Sequence, residues 1–273
     1  MLPPPPAPSP VRPAVDPGAG RRADGGPEPD RLALLARLQD EFAATVPGVD
    51  PDSRVPACGD WRAAELVAHL AGVHHWAGGM ALGDPTRSED LPVPDGGAPA
   101  LARLYARHAA ELRAALGTAG PDGAALTLLG EGPASFWWRR QGHETLVHLH
   151  DLHAARLGSG PAALGEVDVP ADVWADAVDE VATVFQPRQL RLGRMAPLRE
   201  RLRVVATDLG WSWTVGGVGG SGDGDDEPGA AVAAPARGLA LLLWGRLTPD
   251  EAGAVVTGDG DAARRVLAEP LVP

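Results

Sequence analysis

FWWRRQGHETLVHLHDLHAARLG, residues 136–158, decides how this chain is read. It carries no proline, and Gly158, Gly160 and Pro161 follow directly, where a helix stops. One long helix is therefore predicted from Ser135 to Leu157. Four of the eight histidines fall on it: His143, His148, His150 and His153. Glu144 and His148 are four residues apart, so they share a face and lie one turn, about 5.4 Å, from each other. His143, His150 and His153 leave that face at helical angles, and solvated positions are expected for them.

Working outward, a second histidine-rich helix is expected after Asp60, a candidate N-cap. Its apolar stripe is Leu66, Val67, Leu70, Val73 and Trp76, and it should fade near Gly78 and Gly79. His69 lies within that stripe and points inward, while His74 and His75 are within reach of the site's mouth. An inward His or Glu is costly unless paired or metal-bound. His69 together with Glu144 and His148 would make an open site of two histidines and one carboxylate for a divalent ion, zinc first. The E-x-x-x-H spacing is common by chance, and Glu144 can instead pair with Arg139, Arg140 or a neighbouring helix. Cys58 precedes this helix in a Pro-flanked loop, and reads either as a small buried residue or as a reactive thiol.

A first helix starts at Asp30 with Leu32, Leu35, Leu38 and Phe42 on one side, and a third covers about 98–117, carrying His108. Gly/Pro/Asp-rich loops are expected at 83–97 and up to Pro133. A fifth helix is expected over 170–186. After about 195 the apolar period becomes two, and Arg201–Ala206 and Trp211–Val215 read as strands. Gly216–Gly229 reads as a mobile acidic loop, Leu239–Trp244 as a buried helix, Val255 and Val256 as a short strand, and Asp261–Leu267 as a last helix. The expected organisation is α+β: a Pro/Gly-rich disordered tail over 1–29, an up-and-down four-helix bundle within 30–190, and a small α+β domain over 195–273.

Composition narrows the function. The chain of 273 residues carries a formal net charge of -12, and all 24 basic residues are arginine. That balance argues against nucleic acid and anionic membrane surfaces as partners. A single cysteine excludes an intrachain disulfide. The start lacks the apolar stretch of a secretory signal, and there is no run of about 18 apolar residues, so a cytoplasmic protein is expected, as a monomer or weak homodimer.

Several stretches together carry a family resemblance. VPACGDWRAAELVAHLAGVHHWA (55–77) and FWWRRQGHETLVHLHDLHAARLG (136–158) resemble the second and fourth helices of the mycothiol-dependent maleylpyruvate isomerase family. VVATDLGWSWTVGG (204–217), LALLLWGRL (239–247) and VVTGDGDAARRVLA (255–268) resemble its C-terminal domain. The resemblance implies a DinB-like N-terminal bundle holding a divalent metal, usually zinc, on residues matching His69, Glu144 and His148. It implies that mycothiol, the actinobacterial low-molecular-weight thiol, takes the open metal position as a thiolate and attacks a small electrophile. In the isomerase the thiolate adds to the double bond of maleylpyruvate, allows rotation and leaves as fumarylpyruvate forms; S-transfer is the proposed chemistry of related members. Arg246 matches an arginine of the Trp-Gly-Arg segment linked to substrate binding, and a guanidinium suits a dicarboxylate. A thiol proton would leave through bulk water or a histidine such as His75. Three features depart from the family pattern: Leu149 stands where members commonly carry Arg, Gly59-Asp60 where Pro-Gly is usual, and the loop 216–229 is longer and more acidic than expected. The expected function is a mycothiol-dependent, metal-assisted isomerase or S-transferase. The rivals are a metal-dependent hydrolase using bound water and a non-catalytic metal- or thiol-binding stress or regulatory protein.

Overall fold

A computed structural model describes residues 30–217 and 228–273. The expected tail over 1–29 and most of the expected acidic loop lie outside the described residues. The fold is α+β, with its helices first and a four-stranded sheet after them.

Helix α1 (Arg31–Thr45) begins at Asp30, whose carboxylate accepts from the Ala33 amide at 3.0 Å, a cap that stabilises a helix by about 1 kcal/mol. It buries Leu35, Leu38 and Phe42. Helix α2 (Ala63–Ala81) starts later than expected. Asp60 turns out to Arg54, and the Glu65 carboxylate accepts from the Arg62 amide at 2.9 Å instead. Helix α2 also runs through Gly78 and Gly79. A Cβ at Gly79 would sit 2.6 Å from the Asp84 carbonyl oxygen, so glycine here admits the following loop rather than ending the helix. Gly72 does the same for the Glu89 carbonyl.

Helix α3 (Gly97–Ala119) packs along α2, and α4 (Ser135–Leu157) along α1 and α2, which closes a four-helix arrangement. Helix α4 ends at Gly158, whose φ of 71° provides the left-handed cap. The expected loop before it contains a hairpin, β1 (Ala124–Thr127) antiparallel to β2 (Gly130–Pro133). Helix α5 (Ala171–Glu180) passes through a π-helical turn, Val181–Phe185, into α6 (Gln186–Arg191). The fifth helical stretch is thus longer than expected, because Pro187 falls in the first turn of α6, where its missing N–H costs nothing.

In the sheet, β3 (Arg201–Ala206) pairs antiparallel with β4 (Trp211–Gly216) and parallel with β5 (Ala230–Ala234), and β6 (Val255–Gly258) pairs antiparallel with β5. Strand β5 was not expected: AAVAA has weak strand propensity, and its pairing with β3 is what makes it a strand. Helices α7 (Ala236–Leu243) and α8 (Gly260–Leu267) cover the sheet. Helix α5 packs on α7, so one apolar core runs from Phe42, Leu66 and Leu146 through Trp174 to Leu239, Val204 and Val232. This joint sets the C-terminal end of α7 against the inner face of α4. No helix among the described residues is long and apolar enough to cross a membrane.

Candidate metal centre and its cleft

The structure brings His69, Glu144 and His148 together. One ligand atom from each lies within 4.8 Å of the others. The His69 Nε2 is 3.7 Å and the His148 Nε2 is 3.1 Å from the Glu144 Oε1. Donors on a tetrahedral zinc lie about 3.3 Å apart, given bonds of about 2.0–2.1 Å, so the spacing suits such an ion.

The protonation pattern is set by the neighbours. Asp151, one turn beyond His148 on α4, is buried, yet Arg246 and His148 hold its carboxyl well below the usual range. It therefore accepts from His148 Nδ1 at 2.9 Å. With its proton on Nδ1, a neutral His148 turns a bare Nε2 lone pair toward the Glu144 carboxylate. Two acceptors at 3.1 Å call for a cation or a proton between them. Burial pushes the His148 pKa down, which disfavours the proton. Burial, and then His148, push His69 down to about 4, so it too is a neutral imidazole. The donor set thus fits a divalent cation. A carboxylate orienting a ligand histidine through its other nitrogen is a usual support of such sites.

Arginines hold this arrangement from both sides. Arg140 joins Glu144 to Glu180 of α5, and its guanidinium lies 4.8 Å from the Phe185 ring and 5.0 Å from the Trp244 ring. Behind it, Arg139, His143 and Arg31 converge on Asp176. Arg246 donates to Asp151 at 3.0 and 3.2 Å and to the Trp244 carbonyl at 2.7 Å, and its Nη2 faces Cys58 Sγ at 3.8 Å. Of five N–H donors, at most one remains for a substrate. Trp61 lies against His69, ring centroids 4.7 Å apart.

The three residues line a cleft of about 860 Å³ between the helices and the loop after α7. Cys58, Arg246, Arg188 and Arg194 share its wall. Arg188 and Arg194 form no ion pair among the described residues, and burial together with Arg194 and Arg191 lowers the Arg188 pKa. These two and Asp151 were missed by sequence reasoning; Asp151 alone had a local signal, lying three residues after His148.

Two expectations about histidines are corrected. His143, His150 and His153 are buried, not solvated. His143 sits 3.1 Å from Asp176 and 3.0 Å from Glu180, and residues 160–166 cover the other two, with His153 3.7 Å from Glu166. Nor do His74 and His75 reach the mouth. His74 is fully buried, its Nδ1 2.7 Å from the Gln141 Oε1 and its Nε2 3.4 Å from the Tyr105 hydroxyl, and burial pushes it down to about 3. His75 faces α3, 3.4 Å from Glu111, so it is no partner for a proton leaving the cleft.

Comparison with known proteins bears on the whole arrangement. Residues 31–153 match the model of the mycothiol maleylpyruvate isomerase N-terminal domain. Comparison with curated proteins gives no match. Two crystal structures of mycothiol-dependent maleylpyruvate isomerase, one of them a histidine-to-alanine mutant, superpose with a TM-score of 0.58. They share 17% and 18% sequence identity with this chain, and each superposition covers 83% of this chain and 91% of the other. At that identity the likeness is one of fold, and it spans the helices and the sheet alike. Residues 31–153 are thus similar to the mycothiol maleylpyruvate isomerase N-terminal domain, and the fold as a whole is similar to that of mycothiol-dependent maleylpyruvate isomerase.

Proposed function

We infer that this protein is a mycothiol-dependent, metal-assisted isomerase or S-transferase acting on a small anionic electrophile of the maleylpyruvate kind. The observation that carries the reading is the bare His148 Nε2 facing the Glu144 carboxylate beside a neutral His69, at the wall of an open cleft. His69, Glu144 and His148 would hold the ion. A divalent ion there supplies a Lewis acid that lowers the pKa of a bound thiol into the physiological range.

The chain's own residues define what must come from outside. Cys58 lines the cleft, but burial and the Asp151 charge push its thiol up to about 12. It stays protonated, so an attacking sulfur has to be brought in by a cosubstrate. Asp151 keeps the His148 proton on Nδ1. Arg140 takes one oxygen of Glu144 and leaves the other facing the two imidazoles. Arg246 anchors Asp151 and has one donor left for a carboxylate, whereas Arg188 and Arg194 keep theirs. The anionic end of the electrophile is therefore assigned to Arg188 and Arg194, with Arg246 beside them.

The test is turnover of maleylpyruvate and other small electrophiles with and without mycothiol. Isomerisation or thiol consumption that needs mycothiol supports the reading. Turnover without any thiol would replace it with a hydrolase, and metal binding without turnover on a broad panel would replace it with a binding protein. Arg188→Ala should raise KM for a dicarboxylate roughly tenfold with little change in kcat, about 1.4 kcal/mol of one charge-assisted contact. Unchanged KM would remove Arg188 from the substrate site.

A further inference from the structure

A second cluster of the same composition lies outside the cleft. His75 on α2 meets His108 and Glu111 on α3, with one ligand atom from each within 4.8 Å of the others. His108 Nδ1 is 2.8 Å and His75 Nδ1 is 3.4 Å from the same oxygen, Glu111 Oε2. The two imidazole rings meet edge to face at 5.0 Å. Arg107 occupies the other oxygen, Oε1, at 2.9 Å, so Oε2 is the one left to the histidines.

The cluster is not closed by its own hydrogen bonds. Among the described residues His75 Nδ1 is buried without a well-formed hydrogen bond, lying 3.4 Å from a carboxylate oxygen that already serves His108. The Glu111 carboxyl is held below its usual range by Arg107 and His108 against the effect of burial, so it is ionised at neutral pH. Burial lowers the His108 pKa, so that ring is neutral. Ring nitrogens of His143, His150 and His153 are also buried without a hydrogen bond, but none of these faces a second imidazole across a shared carboxylate oxygen. His74 is satisfied by a glutamine and a tyrosine, and His143 lies between two carboxylates with no second imidazole.

We propose that His75, His108 and Glu111 form a second binding site for a borderline divalent ion such as zinc, which clamps α2 to α3. Imidazole and carboxylate donors in this ratio suit such ions, and the pairwise distances bracket the roughly 3.3 Å expected between donors on zinc. His108 takes the tautomer with its proton on Nε2, leaving Nδ1 bare for the ion. His75 and Glu111 are about a third exposed, so water completes the shell. The i, i+3 pair on α3 and the single histidine on α2 make the ion a bridge between the two helices.

The experiment is a zinc count. Protein stripped of metal is dialysed against Zn²⁺ buffered by a competing chelator, and bound zinc is measured by mass spectrometry. Wild type should take two ions, His148→Ala one, Glu111→Gln one, and the double variant none. His75→Ala, a partly exposed change, should match Glu111→Gln. In His148→Ala, zinc should still raise the unfolding temperature, and Co²⁺ should give a visible absorption band; adding Glu111→Gln should abolish both. Wild-type stoichiometry retained in Glu111→Gln and His75→Ala would overturn the second site. So would a single ion lost in His148→Ala, which leaves the cleft site standing. A single ion lost in Glu111→Gln would uphold the second site and remove the first.

Discussion

Helix α2 contributes one histidine to each of two clusters with the same donors, and the clusters differ in what stands behind them. His69, Glu144 and His148 face an open cleft. Behind them Asp151 sets a tautomer, Arg140 takes up one carboxylate oxygen, and Glu180, Asp176, Arg139 and His143 form an ion network reaching α5. His75, His108 and Glu111 have one surface arginine behind them and do not border the cleft. A trio of donors is enough to hold an ion. Setting which nitrogen is bare, and what can approach it, takes the surrounding shell, and only the first cluster has one.

Removing a ligand from the first cluster should have the largest effect. His148→Ala is expected to lower thiol-dependent turnover on the order of 10²–10³-fold and to lose one bound ion, measured by steady-state kinetics beside metal analysis. Full occupancy in this variant would refute His148 as a ligand. Asp151→Asn keeps all three ligands and touches only their support. Metal affinity should fall about 10–100-fold in a chelator competition, and an unchanged value would erase the contrast between the clusters.

Asp176→Asn reaches the network one layer further out. Burial opposes ionisation of Asp176, but His143, Arg139 and Arg31 overcome it and hold its pKa far below the usual range. A carboxylate depressed in this way stabilises the fold above its unfolded-state pKa of about 3.9, and that stabilisation is lost as pH falls toward the folded value. The variant should therefore cost about 2 kcal/mol at neutral pH, after allowing for partial exposure. The gap to wild type should narrow below about pH 4 in urea melts; a gap constant with pH would mean that the charge of Asp176 does no work. The smallest effect is expected from Glu111→Gln, with turnover within about twofold of wild type, since it lies away from the cleft. A larger loss would mean that the two clusters are coupled through α2.

Much of this was legible in the residues. The period of Leu32, Leu35, Leu38 and Phe42 with Asp30 before it, and the stop at Gly158, are local signals, and both helices lie where these signals put them. Strand β5 and the β1–β2 hairpin were not legible, since small and Gly-rich residues become strands only when a neighbour supplies the hydrogen bonds. The outer histidines of α4 were misread for a related reason. Helical angles say which residues share a face, and say nothing of what will cover the opposite one. Here residues 160–166 cover His150 and His153, and Asp176 and Glu180 of α5 meet His143.

Sequence alone determined the helix pattern, the pairing of Glu144 with His148 on one face and the inward placement of His69, because these follow from a period of 3.6 and from where apolar side chains lie. Only the tertiary structure decided that Arg246, 95 residues away, would lock Asp151 and through it the tautomer of His148. It alone decided that burial and the Asp151 charge would raise the Cys58 pKa, and that Arg188 and Arg194 would share the cleft wall without an ion-pair partner among the described residues. Those outcomes rest on electrostatics between segments distant in the chain, and such fields exist only once the helices and the sheet have packed.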